Sequence, residues 1–134
     1  MAEASPWIGI VDDDPSVLKA LTRLLRTRAF PVRTYGSAAA FLAELPGGLP
    51  ACLILDLQMP EMSGLDLLQH LARRNIQVPT IVITAHHDTE LRERCKSAGV
   101  LAILPKPLQD KSLFAAIEDA RRSAEQRKPG SSEE

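Results

Sequence analysis

Five short apolar runs, separated by longer segments with helical spacing, constrain the fold of this chain more than any other sequence feature. The runs occupy residues 7–11, 32–35, 52–55, 80–83 and 101–104. Three of them are nearly continuous in β-branched or aliphatic side chains, which is typical of strands buried on both faces of a sheet. Strands that alternate with helices predict a parallel sheet with helices on both faces.

The intervening segments predict five helices, at residues 15–28, 37–44, 64–73, 88–97 and 111–126. The first has a strong start signal, because Asp14 suits the N-cap and Pro15 suits the first helical position. The fourth is the weakest, since only Leu91 and Cys95 form an apolar stripe. The chain is therefore expected to be α/β, a doubly wound (βα)5 arrangement around a five-stranded parallel sheet.

Length and composition indicate one globular domain. The chain has 134 residues, 45% hydrophobic and 25% charged, with a net charge of −1, which gives no overall electrostatic footprint for nucleic acid. We expect the domain to span residues 1–124, and residues 125–134 to be a disordered tail or the start of an interdomain linker. No apolar run is long enough to cross a membrane, and Cys52 and Cys95 lack metal-type spacing. A cytoplasmic location is expected.

Chemically active side chains follow four of the predicted strands. Asp12 and Asp13 follow the first, Asp56 the third, Thr84 the fourth and Lys106 the fifth. Ligands of open parallel sheets bind at the carboxyl ends of the strands, so these five residues should meet at one edge. Adjacent acids that face water are a suitable site for Mg²⁺, which binds a few carboxylates and keeps several waters.

The segments that carry these residues also resemble a known family. IVDDDPS, LILDLQMPEMSG, VITAHHD and AGVLAILPKP, in that order, are similar to the receiver domain of two-component response regulators. The similarity covers about residues 7–122 and is strongest to receivers that precede LuxR-type DNA-binding effector domains. The resemblance implies a flavodoxin-like fold with strand order 2-1-3-4-5 and a cis Lys106–Pro107 peptide bond.

The resemblance also implies a role for each site residue. Asp56 would be the phosphoacceptor, and Thr84 and Lys106 would contact the phosphoryl group. The implied protein ligands of Mg²⁺ are Asp12, Asp13, Asp56 and the backbone carbonyl of Gln58.

Other positions would tune or transmit the signal. The side chains of Gln58 and His86 would border the phosphoryl group and influence its lifetime. The switch residues would be Thr84 and the residue three positions before the lysine. That residue is usually aromatic in the family and is Ile103 here, which puts in doubt how phosphorylation reaches the outer surface. A zinc site at His86-His87-Asp88 is disfavoured, because adjacent side chains do not face the same way.

The leading functional hypothesis is a phosphoacceptor module that is modified by a sensor histidine kinase and is not an enzyme acting on other substrates. Its fourth helix, fifth strand and fifth helix would control an effector or form a homodimer, in transcription regulation. DNA would be contacted only through an effector domain absent from this chain, and no membrane would be involved. Two alternatives are a non-switching docking module and a Mg²⁺-dependent phosphatase. The phosphatase is disfavoured because Gln58 occupies the position of its usual second acid.

Overall fold

The computed structural model describes residues 7–85 and 89–126, with side chains through residue 122. Five parallel strands form one sheet in the order β2-β1-β3-β4-β5, which confirms the predicted fold class. The strands are β1 (Ile8–Val11), β2 (Val32–Tyr35), β3 (Cys52–Asp56), β4 (Thr80–Thr84) and β5 (Ala102–Pro105).

Five α-helices and one short 3-10 helix connect the strands. The α-helices are α1 (Pro15–Arg26), α2 (Ala38–Glu44), α3 (Gly64–Arg73), α4 (Thr89–Ser97) and α5 (Asp110–Gln126). The 3-10 helix at Leu45–Gly47, which the apolar periodicity did not predict, extends α2 by one tight turn.

Burial separates the interior strands from the edge strands. Every residue of β1, β3 and β4 is buried, as expected for strands covered on both faces. The edge strands β2 and β5 are only partly buried. Pro105 ends the edge strand β5, a position where its missing N–H costs no ladder hydrogen bond.

Two apolar clusters fill the space on the two faces of the sheet. One joins the sheet to α1 and α5, with Leu25, Leu113 and Ile117 fully buried. The other joins it to α2, α3 and α4, with Phe41 and Leu67 fully buried. Both faces are therefore covered by helices, as the sequence predicted.

Local signals at the helix starts are also confirmed. Asp14 is the N-cap of α1, with Pro15 in the first turn, and the side chain of Ser37 caps α2. Cys52 and Cys95 are buried free thiols. Burial raises the pKa of the Cys52 thiol to about 12, so that thiol stays protonated near neutral pH.

The predicted tail or linker at residues 125–134 stays a prediction. It overlaps the last two residues of α5, and residues 127–134 lie outside the described part of the chain.

Candidate functional site

The strand ends bring three carboxylates together at one edge of the sheet. β1 and β3 are hydrogen-bonded neighbours, with Val11 beside Leu55. Asp12 and Asp13 directly follow β1, and Asp56 is the last residue of β3. One carboxylate oxygen from each of the three acids lies within 4.8 Å of the others. The structure therefore brings together the three acids that the sequence predicted as a cluster.

The three acids differ in exposure. Asp12 and Asp56 are only 3% and 4% exposed, whereas Asp13 faces solvent. The cluster consequently has a closed side formed by the strand ends and an open side toward water. A small divalent cation that keeps part of its hydration shell needs this combination.

Asp12 is held in place although its charge is disfavoured. Its carboxylate accepts a hydrogen bond of 2.9 Å from the backbone N–H of Asp14. Burial raises the pKa of Asp12, and the neighbouring carboxylates of Asp56 and Asp13 add to this effect. The Asp14 N–H and the charge of Lys106 act in the opposite direction. A cation in the cluster would remove this penalty, because it stabilises the ionised form.

Asp14 serves a different purpose from its two neighbours. Its side chain accepts hydrogen bonds from the backbone N–H of Ser16 at 2.9 Å and from the Ser16 hydroxyl at 2.7 Å. These bonds lower the pKa of Asp14. The third acid of the run therefore caps α1 and is not one of the clustered acids, as the sequence predicted.

Lys106 supplies the positive charge of the site. Its Nζ lies 3.5 Å from Oδ1 of Asp56, and its backbone N–H donates to the carbonyl of Thr84 at 3.1 Å. The Lys106–Pro107 peptide bond is cis, as the resemblance implied. The end of β5 therefore directs the lysine toward the carboxylate expected to react.

Gln58 lies next to the acids in the loop after β3. Its backbone N–H donates to Oδ1 of Asp56 at 3.3 Å, and its side chain is exposed. This bond holds the loop close to the Asp56 carboxylate. His86, the other residue expected to border the phosphoryl group, lies outside the described residues, as do His87 and Asp88.

Gly64, which begins α3, has a role beside Asp56 that the sequence alone did not predict. A Cβ atom on Gly64 would lie 2.6 Å from the carbonyl oxygen of Asp56 and 2.9 Å from Cα of Leu57. Only glycine permits this approach of two backbone segments. A capping box between Ser63 and Asp66 fixes the same turn. The spacing of that box was the available signal, so Gly64 is a positioning residue for the loop beside Asp56.

The two residues expected to act as a switch are both on the β4–β5 side. Thr84 is the last residue of β4 and is 1% exposed. Ile103 pairs with Val82 in the sheet and is half-buried. It packs against the apolar cluster that contains Cys95 of α4.

Comparisons with known proteins agree with this geometry. Residues 8–118 match the response regulator receiver domain family. This chain belongs to that family. Response regulator protein TmoT of Ectopseudomonas mendocina is 40% identical over 128 residues, which cover 96% of this chain and 58% of TmoT. Transcriptional regulatory protein FixJ of Rhizobium meliloti is 40% identical over 113 residues, covering 84% of this chain and 55% of FixJ.

Solved structures give the same picture. The crystal structure of FixJ-N superposes with a TM-score of 0.80 at 37% identity, over 91% of this chain and 96% of FixJ-N. Response regulator StyR superposes with a TM-score of 0.84 at 38% identity, over 92% of this chain and 63% of StyR. The receiver domain thus spans little more than half the length of these curated relatives. Among the described residues, no helix is long and apolar enough to cross a bilayer.

Proposed function

We propose that this receiver domain accepts a phosphoryl group on Asp56 in a Mg²⁺-dependent reaction, from a phosphohistidine of a sensor histidine kinase. One observation carries the proposal. Asp56 is a buried carboxylate with Lys106 Nζ at 3.5 Å and two further carboxylates within 4.8 Å. Three carboxylates share one lysine, and a divalent cation would neutralise the remaining negative charge so that the site can hold a phosphoryl group.

The donor set fits Mg²⁺. Oxygen ligands would come from Asp12, Asp13, Asp56 and the backbone carbonyl of Gln58, and the exposed side of Asp13 leaves room for water. When bound, the cation would neutralise charge on the phosphoryl oxygens.

The reaction follows from the placement of the remaining groups. A carboxylate oxygen of Asp56 attacks phosphorus while the bond from phosphorus to the histidine nitrogen breaks, and the electron pair of that bond returns to the imidazole. Lys106 would neutralise one phosphoryl oxygen, and the Thr84 hydroxyl would donate to another. The side chains of Gln58 and His86 would control how easily water reaches the product. Apart from its own phosphorylation and dephosphorylation, the domain would catalyse nothing.

The output would be a change at the face formed by α4, β5 and α5. This face would control an effector or pair with a second copy of the domain. In a longer cytoplasmic protein the effector would be a LuxR-type DNA-binding domain in transcription regulation. The resemblance to receivers of that class supports this, as does the limited coverage of the curated relatives.

Acetyl phosphate replaces the kinase in a direct test. Incubation with Mg²⁺ should add one phosphoryl group per chain, detected by intact mass, and EDTA should prevent it. Asp56→Asn should remain unmodified, whereas the matched change Asp119→Asn, at an exposed acid outside the cluster, should leave the reaction unchanged. Modification of the Asp56→Asn chain at the wild-type rate would refute the assignment.

The half-buried packing of Ile103 favours one alternative, a docking module that does not switch. In that case Asp56 would still react, yet the α4–β5–α5 face would be the same before and after. Beryllofluoride with Mg²⁺ separates the two functions. A receiver that switches should show altered backbone amide shifts in β4, α4 and β5, and a docking module should show changes only beside Asp56.

A further inference from the structure

A pocket opens at the amino-terminal edge of the sheet, opposite the acid cluster. It lies between the ends of α3 and α4 and has a volume of about 300 Å³. Thr80, the first residue of β4, and Leu101, which directly precedes β5, both line it. Thr84, at the other end of β4, is roughly 13 Å away at the usual rise per residue of a strand. We call this cavity the α3–α4 pocket.

The floor of the α3–α4 pocket is apolar and hidden from water. Leu68 and Leu71 of α3 are buried, as is Pro79 just before β4. Leu101 stands at the rim with 39% of its surface exposed, and only Leu49 among the other large apolar side chains of the described chain is also classed as exposed. A concave site of this volume with apolar walls is typical of those that bind small molecules.

The lining of the pocket carries no charge. Of all residues in the chain, 25% are charged, yet the described residues around the pocket include no acid, lysine or arginine. A charged ligand would lose part of its hydration there without an opposite charge to replace it, which is unfavourable. The pocket therefore favours an uncharged molecule.

Three polar side chains can orient such a molecule. Asn75 and Gln77 are exposed lining residues, and their side-chain amides have no hydrogen-bond partner among the residues that the structure describes. The hydroxyl of the buried Thr80 donates to the carbonyl of Val78 at 2.8 Å, so its oxygen can still accept a hydrogen bond. Together these groups can both donate to and accept from one ligand hydroxyl.

The two walls of the pocket belong to helices that are held with different firmness. The α3 wall contains Leu68 and Leu71, two of the five residues that this helix buries. The other wall contains Ala98 and Gly99, directly after α4, a helix that buries Cys95 alone. Low local burial means that little free energy is needed to open a segment. A molecule that contacts both walls should therefore restrain α4.

We propose that the α3–α4 pocket binds a small uncharged molecule with an apolar body and one hydroxyl or similar polar group, and that the bound molecule restrains α4. A volume of about 300 Å³ is at the lower end of the range for ligand sites, so a molecule of one ring is expected. This inference goes beyond the phosphoacceptor function and does not depend on it.

Benzyl alcohol is a suitable probe, because it combines one ring with one hydroxyl. Its binding to the complete 134-residue chain can be followed by the backbone amide shifts of Ile76, Gly99 and Leu101, which should saturate. Benzoate and benzylammonium have the same ring but carry a charge, so they should bind roughly tenfold more weakly or worse. Shifts that stay linear up to the solubility limit of the alcohol, or equal binding of the three probes, would overturn the proposal.

Leu101→Ala and Leu49→Ala form a matched pair of variants. Both remove a leucine that is exposed to the same extent, 39% and 38%, but only Leu101 lines the α3–α4 pocket. Leu101→Ala should weaken binding of benzyl alcohol about fivefold, because apolar contact is lost, and Leu49→Ala should leave it unchanged. Equal effects would contradict the assignment. If Leu101→Ala instead changes the sedimentation of a chain that binds no probe, the pocket is a contact between copies and the proposal is wrong.

A second pair of variants fills the pocket instead of opening it. Ala98→Leu should abolish binding of benzyl alcohol, whereas Ala39→Leu, at an exposed position of α2, should not affect it. Acetyl phosphate labelling of Asp56 shows whether each variant is folded, since the pocket and the acid cluster share no residue. Normal labelling without probe binding means that this inference alone fails. Probe binding without labelling in wild type means that the proposed function alone fails.

Hydrogen exchange tests the effect on α4. At ten times its dissociation constant, benzyl alcohol should slow the exchange of α4 amides about tenfold, because the pocket is lost when α4 opens. The amides of α2, a helix that does not line the pocket, are the control and should exchange at the same rate with and without the probe. Unchanged exchange in α4 under saturation would refute the proposed restraint of this helix.

Discussion

The acid edge at β1 and β3 and the α4–β5 side differ sharply in how firmly they are held. β1 and β3 are completely buried, and α1 buries Leu21 and Leu25 against them. By contrast, α4 buries Cys95 alone among its residues, with Leu91 half-buried, and β5 is only partly buried. Packing is densest where carboxylates must keep fixed separations, and it is weakest where a change of shape would have to occur.

The same truncation on the two helices should give the largest contrast. Leu25→Ala removes a fully buried side chain and should lower the free energy of unfolding by about 2–5 kcal/mol. Leu91→Ala removes a half-buried one and should cost about 1 kcal/mol or less. Urea denaturation of both variants measures the difference. Equal losses would show that α4 is held as firmly as α1.

Removing Asp13 should separate function from stability at the acid edge. Asp13→Ala should reduce acetyl phosphate labelling of Asp56 by roughly 100-fold, the typical effect of losing one charge-stabilising group. Asp13 is exposed, so its loss removes repulsion and no packing, and stability should change by less than about 0.5 kcal/mol. Labelling at a near-normal rate would exclude Asp13 as a ligand, and the Asp119→Asn chain is the control.

Gly64→Ala should lower both the stability of the fold and the reactivity of Asp56, although it changes no acidic residue. The new methyl group would collide with the Asp56 carbonyl, and overpacking of this kind costs about 1–3 kcal/mol. Labelling of Asp56 should slow as well, because the loop must move. Gly36→Ala is a suitable control, since a Cβ there meets nothing within 4 Å. If Gly64→Ala is as stable and as reactive as wild type, the close approach is unimportant.

The α4–β5 side should respond to Ile103→Tyr. Isoleucine is stiff at its first torsion and already packs against the cluster beside Cys95, so its packing should change little between states. A ligand shifts an equilibrium only by its differential free energy. We therefore expect beryllofluoride to promote dimerisation modestly in wild type and about fivefold more in Ile103→Tyr, measured by sedimentation. If beryllofluoride promotes dimerisation of a folded Ile103→Tyr chain no more than that of wild type, this receiver does not need an aromatic residue at position 103.

The smallest effect concerns pH. The raised pKa of Asp12 means that the folded chain binds more protons than the unfolded chain between pH 3.8 and the raised value. Stability contributed by this group is therefore lost as pH rises through that window. In EDTA, Asp12→Asn should lose less stability than wild type between pH 3 and pH 7. If the free energy of unfolding changes equally with pH in wild type and in Asp12→Asn, the pKa of Asp12 is not raised in the folded chain.

Most of the architecture could be predicted because the apolar runs of the strands and the capping residues of the helices are local features of the sequence. The apolar runs matched all five strands, and Asp14 with Pro15 marked the start of α1. The boundaries were less accurate, since the third and fourth strands extend to Asp56 and Thr84. Ladder hydrogen bonds set those ends, and a polar side chain does not prevent them.

The convergence of the acids was predictable for the same kind of reason. Any parallel sheet brings its carboxyl ends to one edge, so the positions of Asp12 and Asp56 sufficed. Their separations, the burial of Asp12 and the contact at Gly64 depend on tertiary packing and were not predictable.

The strand order also determines what must fold before Asp56 can be phosphorylated. β1 and β3 are neighbours in space, yet β2 and α2 lie between them in the sequence. Asp12 and Asp56 therefore meet only after a non-local pairing has formed, and such pairings slow folding. A chain in which β1 and β3 have not paired lacks the acid cluster and should not be phosphorylated on Asp56. Phosphorylation of Asp56 would therefore report that β1 and β3 have paired.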